Sequence, residues 1–102
     1  MELNLMERIT LLGMLPQEHN LITMRIVKEL QTNLGFTEEE IKEYEISVNG
    51  DMVKWNLKGN ESKEIKIGEK ATDVIMEQFH KLDKENKLKT VHIELYDKFG
   101  GK

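Results

Sequence analysis

Apolar residues recur along this chain at two spacings, three to four apart over most of its length and two apart in the middle. Leu5, Ile9 and Leu12 share one helical face, with Met6 beside them, and predict a helix over about 5–13. Asn4 and Glu7 stand at capping-box spacing before it, and Gly13 and Pro16 end it. Asn20 caps a second helix, about 20–34, whose stripe is Ile22, Ile26, Val27, Leu30 and Leu34. Gly35 is expected as the left-handed residue that closes this helix. Thr37 and Glu40 form a second capping box, flanked by Phe36 and Ile41 at the staple positions, and start a short helix over about 38–43. Ala71, Val74, Ile75, Phe79 and Leu82 mark a helix over about 69–82. Leu88, Val91, Leu95 and Phe99 mark another over about 89–98.

The middle of the chain alternates. Asn49-Gly50 is a type I′ hairpin signal, and a two-residue loop there pairs Val48 with Asp51. Ile46 then falls opposite Val53 and Tyr44 opposite Trp55 on one face, with Glu45 opposite Lys54 on the other. Ile65 and Ile67 alternate in a third segment. The expectation is an α+β fold: a three-stranded antiparallel meander (about 44–48, 52–57 and 63–67) covered on one face by the helices. No domain boundary, repeat or low-complexity tract interrupts it, so residues 1–102 read as one domain. Gly100-Gly101-Lys102 is expected to fray.

Composition narrows the function classes. The chain lacks cysteine, which excludes disulfides, thiolate metal sites and cysteine nucleophiles. No signal-peptide pattern opens it and no apolar run is long enough for a bilayer, so a cytoplasmic setting without membrane contact is the expectation. The net charge is −4, with lysines and glutamates interspersed, which argues against nucleic acid as a partner.

Candidate chemistry is sparse. Glu77-x-x-His80 has the spacing used in di-iron bundles, but one such motif without its partners does not make a metal site. The glycines stand at turns and caps rather than in a phosphate-binding pattern, and no hydroxyl sits in a nucleophile motif. No catalytic, cofactor-binding or metal-binding residues are assigned, and no enzyme is expected. The surface left for function carries methionines and other apolar side chains off the main stripes. Met52 and Lys54 on the outer face of the hairpin, with Met76, His80, Ile93 and Tyr96 on the last two helices, are the candidate partner-binding residues.

Several segments carry a resemblance. They are Leu15-Pro16-Gln17-Glu18-His19-Asn20, Ile26-Val27-Lys28-Glu29-Leu30, Phe36-Thr37-Glu38-Glu39-Glu40-Ile41-Lys42-Glu43-Tyr44, Ile67-Gly68-Glu69-Lys70-Ala71 and Leu95-Tyr96-Asp97-Lys98-Phe99. In these the chain resembles a family of small uncharacterised proteins of tailed bacteriophages and prophages of Gram-positive bacteria. The resemblance implies a phage setting, hence the host cytoplasm, and carries no activity or functional residues with it.

The expected function is a non-enzymatic protein-binding module, an accessory factor in phage assembly or replication or an inhibitor of a host protein, with a homo-oligomer as one form of partner. The alternative is a small DNA-binding regulator of winged-helix type, with Arg25, Lys28, Gln31 and Asn33 on the reading helix. The charge pattern separates the two: DNA affinity is expected to be weak and lost in moderate salt. A mobility-shift titration at about 150 mM salt that gave tight, sequence-dependent binding would contradict the protein-binding reading.

Overall fold

The structure, a computed structural model, describes residues 1–99. In chain order these form β1 (Glu2–Leu3), α1 (Leu5–Met14), α2 (Leu21–Leu34), α3 (Glu38–Glu43), β2 (Ser47–Asn49), β3 (Met52–Lys54), a 3-10 turn (Leu57–Asn60), β4 (Lys63–Glu64), α4 (Glu69–Lys84) and α5 (Thr90–Lys98). The class is α+β, as expected. The expected fraying of residues 100–102 lies outside the described residues.

The caps read from sequence are in place. Asn4 accepts the Glu7 amide at 2.9 Å while Glu7 accepts the Asn4 amide at 3.0 Å, and Thr37 and Glu40 exchange the same two bonds at 3.1 Å each. Asn20 accepts the Thr23 amide at 2.8 Å. Each cap satisfies amides that the first helical turn leaves without partners.

The core lies among α1, α2, α4 and α5. Leu11, Val27, Leu30, Leu34, Val74, Ile75, Phe79 and Leu95 are buried together, closed at one end by Leu3 and Ile65. Phe79 anchors the α4–α5 side, with the Tyr96 ring edge-on at 5.5 Å and Phe99 tilted at 6.2 Å. Lys98 binds Glu7 at 2.8 Å and so ties the end of α5 to the start of α1.

Three expectations about the helices need correction. On α1 the buried face is Leu5, Arg8 and Leu11, while Ile9 and Leu12 are only half-buried. Ile22, in the first turn of α2, and Leu88, in the link before α5, stay exposed. Ile41 is also exposed, so the staple with Phe36 is not what fixes α3; Phe36 lies beneath the Arg8 guanidinium, 4.2 Å from its ring centre.

The three-stranded meander is replaced by two separate two-stranded antiparallel sheets, β1–β4 and β2–β3. The turn of β2–β3 also differs from the expected one. Gly50 and Asp51 are its two central residues, so Asn49 pairs with Met52, Val48 with Val53 and Ser47 with Lys54. The loop has slipped by one residue from the expected Asn49-Gly50. Gly50 takes φ +61 at the first central position, as a type II′ turn requires, rather than the second. The slip changes which residues stand opposite one another, with Val48 now facing Val53, but leaves each side chain on its expected face.

The cause of the lost meander lies at the end of α3. Ile46 donates to the Ile41 carbonyl at 3.0 Å and Glu45 to that of Lys42 at 3.3 Å, with Glu45 at φ 51. This is a Schellman closure, with glutamate where glycine is usual. It holds Tyr44–Ile46 as a helix end, so they cannot enter a strand. A second closure of this kind ends α4 at Asn86, φ 57, where Lys87 donates to Leu82 at 2.8 Å. The third predicted strand pairs with the N-terminus instead: the Ile65 amide donates to the Met1 carbonyl at 2.8 Å, and Glu2 and Leu3 pair with Glu64 and Lys63.

The 3-10 turn packs against α1 through Gly59. A Cβ there would lie 2.5 Å from Trp55 Cδ1 and 3.1 Å from Leu5 Cδ1. Gly59→Ala should therefore destabilise the fold by about 1–3 kcal/mol in a denaturant titration, because a ring in a packed site cannot yield as a flexible chain end would. An unchanged midpoint would contradict this packing.

Candidate functional site

The β2–β3 hairpin carries exposed apolar side chains, and its placement begins at Arg8. This side chain is 2% exposed and Glu40, its partner, 6%. Arg8 Nη1 donates to Glu40 Oε2 at 2.7 Å and Nη2 to Oε1 at 3.3 Å. The remaining donors go to the end of α2: Nε to the Leu34 carbonyl at 3.1 Å and Nη2 to the Gly35 carbonyl. A helix leaves its last carbonyls without partners, and here the guanidinium supplies them. Gly35 accordingly has no need of the expected left-handed conformation and sits at φ −65.

Glu40 in turn accepts from Lys63 Nζ at 3.1 Å, as well as from the Thr37 amide. One carboxylate thus joins α1, the start of α3 and β4. Hydrogen bonding from Arg8 is the main force holding the Glu40 carboxyl down at about 2, against the desolvation that alone would raise it; Thr37 and Lys63 add to the lowering.

From α3 the hairpin is held at its base. Asn56 Nδ2 donates to the Glu43 carbonyl at 2.8 Å and the Asn56 amide to the Tyr44 carbonyl at 2.8 Å. Beyond that base each strand has the other as its sole strand partner among the described residues, so both outer edges are unpaired among them. Val48 is 67% exposed and Met52 62%. They point to opposite faces, Val48 with Val53, and Met52 with Asn49. Ile41 and Leu57, in the elements on either side, are exposed as well.

The candidate residues fall into two groups. Met52 and Lys54 are exposed on β3. The other four lie on α4 and α5, where His80 is exposed with its ring 6.4 Å from that of Tyr96, and Ile93 is exposed. Tyr96 and Met76 are only half-buried and pack against the core, so much of their surface is already used. His80, Tyr96, Phe79, Asp83 and Leu88 line a small concavity of about 200 Å³. Glu77 of the Glu77-x-x-His80 motif faces His19, 3.4 Å from its Nε2. Among the described residues no group of three or more histidine, aspartate or glutamate side chains could hold a metal ion. No helix among them is long and apolar enough to cross a membrane.

Sequence reasoning missed Val48 and Arg8. Placing Gly50-Asp51 in the loop brings Val48 opposite Val53, an apolar pair the Asn-Gly register hides. Leu5-x-x-Arg8-x-x-Leu11 is an apolar stripe with one charged member, and that spacing was the signal for a buried arginine.

The chain matches no protein-family model, and no curated protein and no solved structure is significantly similar to it.

Because the Glu40 carboxyl lies below its ordinary value of 4.5, at about 2, the stability it contributes is fully present above about pH 4.5. That contribution should be lost as pH falls through 2. Glu40→Gln should lower stability at neutral pH and flatten this acid limb in a pH series of denaturant titrations; an acid limb as steep as in the unsubstituted protein would contradict the assignment.

Proposed function

We propose that this chain is a non-enzymatic protein-binding module that works in a host cell's cytoplasm as a phage-encoded accessory factor or inhibitor. The observation that supports this reading is the hairpin. It offers strand edges unpaired among the described residues, and exposed Val48 and Met52, on a mount held by a buried ion pair. Exposed backbone at a strand edge takes up an extended segment of another chain as an added strand, and the flanking side chains select it. A rigid base lowers the ordering cost of such an encounter. The phage setting rests on the resemblance in the segments 15–20, 26–30, 36–44, 67–71 and 95–99.

A DNA-binding reading has one observation in its favour: Arg25, Lys28 and Gln31 are exposed on α2, with a wing-like hairpin following. Asn33 is committed elsewhere, donating to the Lys66 carbonyl at 3.3 Å. Glu38, Glu39 and Glu43, exposed on α3 beside the hairpin, would repel phosphates. The protein-binding reading is therefore preferred.

The test is a hairpin variant, Val48→Asp with Met52→Asp. Both positions are exposed, so folding stability should change by no more than about 0.5 kcal/mol per site. Self-association in a light-scattering concentration series, or the set of proteins captured from host lysate, should be lost relative to the unsubstituted chain. A monomer whose captured proteins are the same with and without these substitutions would overturn the hairpin as the binding surface.

A further inference from the structure

On another side of the molecule, an open concavity of about 480 Å³ lies between α1, the C-terminal half of α4 and the start of α5. That volume falls in the range of small-molecule sites. Its charged lining is Lys81, Lys87 and Lys89 against Glu85 alone, an excess of two positive charges. Lys87 stands 3.7 Å from Glu85, which leaves the other two lysines without a carboxylate partner among the described residues.

Two polar side chains in the wall are themselves more than nine-tenths buried: Gln78 is 9% exposed and His92 8%. The Gln78 amide makes no hydrogen bond with any described residue. His92 accepts the Lys89 amide through Nδ1 at 2.8 Å, which puts the proton of the neutral ring on Nε2, and that N–H has no acceptor among the described residues. No partly or fully buried side chain among these residues has a sealed, unpaired nitrogen or oxygen. The free ends of Gln78 and His92 therefore reach solvent, and the concavity is the solvent they line.

Backbone groups add to this. The first-turn amides of α5, at Thr90 and Val91, are donors that the helix cannot satisfy, and the positive end of its dipole lies at the same wall. Burial, then the charge of Lys89, lowers the His92 pKa, so the ring donates as a neutral group. Ile9, Leu82 and Val91 supply an apolar side to the cavity.

We propose that this concavity binds a small phosphate monoester, with its dianionic phosphate at the Lys81–Lys89 rim and the first turn of α5, and Gln78 and His92 donating from the wall. Two excess positive charges match a dianion, and the apolar side receives the organic part of the ester. The site is separate from the hairpin, so it stands or falls independently of the protein-binding reading.

The experiment is an NMR titration of the isotope-labelled protein with inorganic phosphate, a sugar phosphate and a nucleoside monophosphate, at constant ionic strength. Expected are saturable shifts centred on the Gln78 side-chain amide, the His92 ring and the Thr90 and Val91 amides, with at least one ester binding more tightly than inorganic phosphate. The Lys81→Gln and Lys89→Gln double variant should weaken binding at least about tenfold, as loss of charge-assisted hydrogen bonds does, while Lys42→Gln on α3 should leave it unchanged. Non-saturating shifts, shifts spread over lysines elsewhere, or equal weakening by Lys42→Gln would overturn the proposal. The shift map of the unsubstituted protein decides the matter even if the double variant is unstable.

Discussion

A guanidinium shut away from water is the constraint around which this molecule is arranged. Arg8 must find partners for its donors inside the protein, since an unpaired buried charge costs several kcal/mol. It finds them in the last carbonyls of α2 and in Glu40 at the start of α3. Glu40 is the buried residue of α3, whose apolar side chain Ile41 is exposed, so the arginine sets where α3 lies relative to α1 and α2. Lys63 extends the set to β4, and the Phe36 ring covers the guanidinium face. The helical core would tolerate many small repackings. A charge network with directional bonds tolerates few, and it is this part of the structure that gives the hairpin a defined base.

Helix starts were legible in the chain because they depend on neighbours in sequence. Asn4 with Glu7, Asn20, and Thr37 with Glu40 each cap as their spacing implies. The stripes on α2 and α4 were legible for the same reason, and Val27, Leu30, Val74, Ile75 and Phe79 are buried. What failed was everything that a distant residue decides. Gly35 carries the composition of a left-handed cap, but Arg8, twenty-seven residues earlier, binds its carbonyl and the chain leaves extended. The strand around Ile65 has the period expected of it and a different partner, because the two residues of β1 are too short to show any period. In the hairpin the sequence pointed to Asn49-Gly50 as the loop, but Gly50-Asp51 forms it, with the glycine at the first central position.

The same division holds for the candidate surfaces. Met52, Lys54, His80 and Ile93 are exposed as their positions off the stripes implied, while Tyr96 and Met76 are drawn against the core by Phe79 and its neighbours. Arg8 was hidden by the ordinary rule that charges on an amphipathic helix face water. Gln78 was hidden likewise, as one polar residue between Ile75 and Phe79 and Leu82. The lysines around it are spread over α4, the following link and the first residues of α5, and only the closure at Asn86 brings them to one wall.

If the buried ion pair organises the fold, Arg8 and Glu40 must be strongly coupled in stability. A double-mutant cycle with Arg8→Met, Glu40→Met and the pair, measured by urea titration at neutral pH, tests this directly. Each single substitution should cost about 3–5 kcal/mol, since it strands a buried charge, and the double variant should recover much of that loss. Additive single effects, with a coupling energy near zero, would contradict the central role given to this pair.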